Sequence, residues 1–120
     1  MSSRSLFSLD GIELRWAGKA QDLLIKRIED HKSVILSING AAIIQNVGNA
    51  LPYFQDAVAT AKDIVINFTD TRLIDARFLG LLIMLSKVMK KQQLHLTFTA
   101  VSPRIARIFR LHGFGFLLRA

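Results

Sequence analysis

Residues 64–80 read Ile64-Val65-Ile66-Asn67-Phe68-Thr69-Asp70-Thr71-Arg72-Leu73-Ile74-Asp75-Ala76-Arg77-Phe78-Leu79-Gly80. The run from Asp63 to Phe68 is almost continuously apolar, the pattern of a strand covered on both faces, and this places it in the middle of a sheet. After a polar loop over Thr69–Asp75, Asp75 stands directly before a strongly apolar stretch, the position of a helix N-cap. From Ala76 to Lys91 the residues Leu79, Leu82, Ile83, Val88 and Met89 follow helical spacing. Lys87, Lys90 and Lys91 then put positive charge at the negative end of that helix's dipole.

Working outward, Val34, Leu36 and Ile38 alternate within Ser33–Ile38 and stop at Asn39-Gly40, which predicts a strand and then a turn. Leu51, Phe54, Val58 and Ala61 predict a helix over 49–61, with Pro52 in its first turn. Ala20, Leu24 and Ile28 are spaced for a helix over 17–30. Before it, Leu6 to Leu9, Asp10-Gly11, and Ile12, Leu14 and Trp16 have the pattern of a hairpin with Trp16 facing the core. Downstream, Leu94, Leu96 and Phe98 share one face of a strand over 94–101. Ser102-Pro103 supplies an N-cap and an N1 proline for a helix over 104–112 that Gly113 ends, with Ile105, Ile108 and Phe109 inward. Phe114 to Leu118 is expected as a last short strand. Strands alternating with helices predict an α/β fold, a mixed and mainly parallel central sheet with helices packed against it.

The chain of 120 residues, 51% of them hydrophobic, suits one domain with one continuous core. The expected division is a variable N-terminal hairpin and helix over 1–32 and a core over 33–120. With no cysteine, disulfides, thiolate metal sites and cysteine nucleophiles are excluded. The polar start Met1-Ser2-Ser3-Arg4-Ser5 lacks the form of a secretory signal, and the apolar run Phe78–Leu85 is far too short to span a bilayer, so a cytoplasmic location is expected. A net charge of +7, from 16 Lys+Arg against nine Asp+Glu, favours acidic partners. The basic residues are spread along the chain, and one Trp and one Tyr offer little for stacking on bases, so nucleic acid is not the expected partner.

From Ser33 onward this order of elements resembles the STAS family, the domain of bacterial anti-sigma factor antagonists and of the cytoplasmic tails of sulfate transporters. The likeness is carried by Ile64 to Gly80, the helix Leu81 to Lys91, Val101-Ser102-Pro103 and Leu111-His112-Gly113. In that family a strand ends in an Asp-Leu-Ser-like turn, and a short loop leads to Asp-Ser-Ser-Gly-Leu-Gly at a helix N-terminus. Asp75, Leu79 and Gly80 agree with it. Ala76 and Arg77 stand where the two serines are expected, and Phe78 replaces the first glycine. In anti-sigma factor antagonists the second serine accepts a phosphoryl group, at a helix start whose free N–H groups favour an anion. Arg77 cannot accept one, and a guanidinium there favours a permanent acidic partner. The resemblance thus implies a partner-binding surface of Asp70, Thr71, Asp75, Ala76, Arg77 and Phe78. An anti-sigma kinase-like protein is one partner it implies. The run Leu73–Leu85 with Pro103–Phe109 is also similar to STAS segments accompanying bacterial polysaccharide glycosyltransferases, which implies an assembly protein of that type as another. It allows a modulatory nucleotide as well, although no cofactor is expected from the residues.

Each residue also has a plainer reading. Asp75 is first a cap, Phe78 first a core residue, and Arg77 a solvated arginine at an unfavourable end of the dipole. Arg104, Arg107 and Arg110 recur every third residue and make a basic stripe, either a solvated face or a site for a carboxylate-rich partner or lipid headgroup. His31, His95 and His112 lie in different elements without ligand spacing, so no metal is expected. Asp70 and Asp75 flank the loop where α/β folds place ligands, yet no phosphate loop and no nucleophile elbow accompanies them, and Gly113-Phe114-Gly115 is only the first half of a dinucleotide fingerprint. The expectation is a protein-interaction module and not an enzyme. An alternative keeps the phosphoswitch with Thr71 or another hydroxyl as acceptor, a second makes the chain a basic module for nucleic acid or anionic lipid, and the N-terminal edge strand offers a route to a homodimer.

Overall fold

The computed structural model describes residues 22–119. Five strands and three helices follow in the order β1 (Leu23–Glu29), β2 (Ser33–Ala42), α1 (Val47–Ala59), β3 (Asp63–Asn67), β4 (Thr71–Ile74), α2 (Ala76–Lys91), β5 (Leu96–Thr99) and α3 (Pro103–Leu111). One 3₁₀ turn, Ile44–Asn46, leads into α1, and another, Gly115–Arg119, closes the described chain. The sheet runs β1-β2-β3-β5; β1 is antiparallel to β2, whereas β2, β3 and β5 are mutually parallel. β4 is also parallel to β2 and pairs with its last residues.

Cross-strand partners share a face of a sheet. The rows Val34–Ile64–Leu96 and Leu36–Ile66–Phe98, with Ile38 beside Ile25, therefore lie on one side, and all but Phe98 are buried. The helices cover this side. Arg27, on the same face as Leu36, is paired with Asp56 of α1 at 2.9 Å, and Phe109 of α3 packs edge-on to Phe68 and Phe98. The ring of Phe54 in α1 meets that of Phe78 in α2 with centroids 6.3 Å apart. Each fully buried Leu, Ile or Phe in this layer contributes roughly 1.5–3 kcal/mol. The opposite face carries Ile35, Val65 and Thr97, which are only half-buried. Among the described residues, β3 is thus covered fully on one face, and not on both as its continuous apolar run suggests.

Several expectations change. The segment 23–29 is a strand, not a helix. Its spacing of four residues, Leu24 to Ile28, is a multiple of the strand period as well as near the helical one, so both periodicities put these residues on one face. That face is the exposed one: Leu24 and Ile28 are 57% and 63% accessible, and Ile25 is the buried residue. Asp30 settles the choice locally, because its Oδ1 accepts from the backbone N–H groups of Lys32 and Ser33, both at 2.8 Å, and closes a hairpin. These amides, Ser33's first, hold the Asp30 carboxyl below its usual range. β1 therefore belongs to the sheet, which begins before residue 33.

The turn expected at Asn39-Gly40 is instead part of β2, whose register with β4 shifts between Gly40 and Ala41. Gly40 pairs with Thr71 but Ala41 with Leu73, so Arg72 of β4 is the extra residue. Gly40 has φ +104°, and a Cβ there would collide with the Asp22 carbonyl. α1 starts at Val47, so Pro52 lies inside the helix and not in its first turn. Phe114–Leu118 is not a strand, because Gly113 (φ +81°) turns the chain and Phe114 N–H closes onto Phe109 O at 2.8 Å, returning it to α3. The expected hairpin from Leu6 to Trp16 lies outside the described residues.

Candidate functional site: the start of the second helix

The loop after β3 is fixed from the backbone up. Asn67 Oδ1 accepts from the Thr69 amide at 2.9 Å and from Thr69 Oγ1 at 2.6 Å, an Asx turn that lifts the chain off the strand. Gly40 N–H recaptures it through Asp70 O at 2.9 Å. Thr71 Oγ1 then donates to Ile38 O at 2.6 Å, placing its half-buried hydroxyl on a strand carbonyl. β4 follows, a strand inside the stretch that the sequence presents as loop. Its four residues, Thr71–Ile74, are too few to show a period.

Asp75 ends β4 and begins α2. Its N–H donates to Ala42 O at 3.0 Å. One carboxylate oxygen, Oδ1, accepts from Phe78 N–H at 2.9 Å and caps the helix, while Oδ2 accepts from Ile44 N–H, also at 2.9 Å. The cap expected from sequence is present, and the second bond fastens the β2–α1 turn to the start of α2. Both oxygens are thereby committed to backbone amides, which leaves Asp75 a structural residue at the edge of the site.

The first two helical residues, Ala76 and Arg77, are exposed. Their amides lie in the first turn, where no intrahelical acceptor exists. Arg77 points a cation out from the positive end of the helix dipole, a position that disfavours it. Among the described residues no carboxylate lies within ion-pair distance of it; the ion pairs there join Arg27 to Glu29 and Asp56, and Lys62 to Glu29. Phe78 is a correction to the expected surface: it is fully buried against Phe54, so it supports the site from below and does not face a partner. Asp70 is exposed beside the loop.

Arg104, Arg107 and Arg110 are all exposed on α3, a helix capped by Ser102 Oγ, which accepts from Ile105 N–H at 3.1 Å, while Ile105 and Phe109 face the core. Among the described residues no three His, Asp or Glu side chains converge as metal ligands, and no helix is long and apolar enough to cross a membrane.

A family model described as the STAS domain matches residues 23–119, nearly the whole described chain. The chain belongs to the STAS family. No curated protein sequence matches it. Among solved structures, it is similar to the phosphorylated form of the Bacillus cell-fate determinant SpoIIAA, with TM-score 0.62 and 15% identity over 81% of this chain and 88% of that one. An anti-sigma factor antagonist STAS protein from Planctomyces limnophilus gives 0.69 and 16%, over 78% and 86%. One from Mycobacterium paratuberculosis gives 0.68 and 13%, over 82% and 84%. At these identities the likeness shows a shared fold.

Two features escaped the sequence reading. One is β4. The other is a segregation of charge: half of the 16 basic residues and none of the nine acidic ones lie after Asp75. The basic residues alone do look evenly spread, and the signal is in where the acids stop.

Proposed function

We propose that this STAS domain is a non-catalytic docking module. Its acidic protein partner sits on the loop Thr69–Asp75 and the first turn of α2, and docking is constitutive. The observation that carries this reading is Arg77, an exposed cation at a helix start that disfavours it, with no carboxylate of the described chain at hand. A partner carboxylate there gains a charge-assisted bond to the guanidinium and faces the free first-turn amides. No phosphoryl acceptor is needed, because the position that carries the switch in anti-sigma factor antagonists holds a permanent charge. The alternative acceptor Thr71 is less favoured, since phosphorylation would forfeit its bond to Ile38 O. By the resemblance of Leu73–Leu85 and Pro103–Phe109, the partner is an assembly protein of the polysaccharide glycosyltransferase type. The test is retention of cellular proteins by tagged wild type and by Arg77→Glu, quantified by mass spectrometry. A partner held by wild type and lost from the variant supports the reading; an unchanged set overturns it.

A second reading rests on the exposed stripe Arg104, Arg107 and Arg110, a surface for nucleic acid or anionic lipid. It requires binding that weakens steeply as salt rises.

A further inference from the structure

Beside Arg77 a second feature of α2 faces outward. A groove of about 330 Å³ lies between α1 and α2, floored by Phe54 and Leu85 and walled by Leu51 on one side and Leu81, Met84 and Val88 on the other. Gln55 is the one polar residue among those lining it. Leu51, Met84 and Val88 are 38%, 65% and 40% accessible. Apolar side chains so exposed, and gathered in one concave strip, mark a surface built to be covered.

The charge around the strip says what covers it. At 100° per residue, Arg77, Leu81, Met84, Val88 and Lys91 fall on one narrow stripe of α2, with Lys87 on its solvent side. The stripe is about 21 Å long at 1.5 Å per residue. It is apolar in the middle and cationic at both ends and along the outer rim, and Arg77, Lys87 and Lys91 are all exposed. No acidic residue occurs from Ala76 to the end of the chain. Two helix walls with an open side form a trough for a third helix, read by apolar anchors at i, i+3/i+4 and i+7.

We propose that this groove receives an amphipathic helix of the partner protein, about 14 residues in contact, with apolar anchors on Leu81, Met84 and Val88 and carboxylates toward Arg77, Lys87 and Lys91. This rests on the reading that the chain docks a protein, and adds where the partner's helix lies and what charge it bears.

The test uses two fluorescein-labelled designed peptides, helical and with leucines at the anchor spacing, one flanked by glutamates and its twin by lysines at the same positions. Each is titrated with the full chain by fluorescence anisotropy at low salt. The glutamate peptide is expected to bind at least about tenfold tighter than its twin. Met84→Glu, at an exposed site that leaves Arg77 and the loop in place, is expected to weaken it about tenfold with the circular dichroism spectrum and melting temperature unchanged. Equal affinities of the twins, affinity that survives Met84→Glu, or no binding of either peptide overturns the proposal. Partner retention by Arg77→Glu is read with Met84 intact, so failure of the loop-centred reading is seen separately from failure of the groove.

Discussion

The stretch from β1 to Asp75 carries five basic residues and the stretch from α2 onward eight, and the two treat them in opposite ways. In the first, Arg27 and Lys62 are neutralised at home. Arg27 spans Glu29 and Asp56 at 2.6 and 2.9 Å, and Lys62 holds Glu29 at 2.6 Å and Asp30 O at 2.8 Å. In the second, Arg77, Arg104, Arg107 and Arg110 are exposed with no carboxylate of the described chain in reach. A cation paired within the fold has part of its field cancelled, whereas an unpaired one projects it toward solvent and whatever approaches. The comparison therefore separates the part of the surface that finishes the fold from the part that remains for a partner.

The largest effect should come from the core that both parts share. Phe78→Ala removes the ring packed edge-on to Phe54 beneath the first turn of α2, and about 3–5 kcal/mol of stability should be lost in urea denaturation. A loss under about 1 kcal/mol would mean that α2 does not share the core of the strands before it. Next comes the fastening between the parts. Asp75→Ala strips the cap and the acceptor of Ile44 N–H together, and about 2 kcal/mol should go. Asp75→Asn keeps an oxygen for Phe78 N–H but turns an amide toward Ile44 N–H, so it should recover only part of that loss; full recovery would reduce Asp75 to a simple cap.

Smaller effects test the contrast itself. Replacing Arg104, Arg107 and Arg110 together by alanine should change stability by no more than about 0.5 kcal/mol per site, because no ion pair of the described chain is broken. A marked destabilisation would show that these cations serve the fold. Glu29→Gln should destabilise slightly at neutral pH. The Glu29 carboxyl is held below its usual range, first by the hydrogen bond from Lys62 and then by that from Arg27. A carboxylate with a lowered folded-state pKa stabilises above its unfolded value, and that contribution is lost as pH falls through the folded one. The gap between Glu29→Gln and wild type should close on acidification; a gap that persists in acid would mean the ion pairs are not its source.

The sequence was clearest where one physical signal stood alone. Asp75 before an apolar run and Ser102-Pro103 before another marked helix starts that the structure places at those residues. The parallel pairing of β2, β3 and β5 follows from the alternation of strand and helix. It was least clear where two signals coincided or a contact was remote. Leu24 and Ile28 satisfy helix and strand periods at once. Gly40 reads as a turn, yet β2 runs on through it, held by a residue 30 positions later, Asp70, whose carbonyl takes its N–H. At the site, Asp75 and Arg77 were legible as cap and exposed cation. The bond from Ile44 to Asp75 was not, because it joins residues 31 apart. The groove was hidden for the same reason: each wall reads as an ordinary amphipathic helix, and only their juxtaposition leaves Met84 and Val88 uncovered.

The most direct measurement of the central claim is amide hydrogen exchange of the full chain, alone and in complex with the partner it retains from the cell. Docking on the loop and α2 predicts new protection over Thr69–Lys91, strongest in the first turn of α2, and none at the ion-paired surface formed by β1 and Asp56. Protection gained on β1 and α1's Asp56 side, with the amides of Ala76 and Arg77 unchanged, would contradict it.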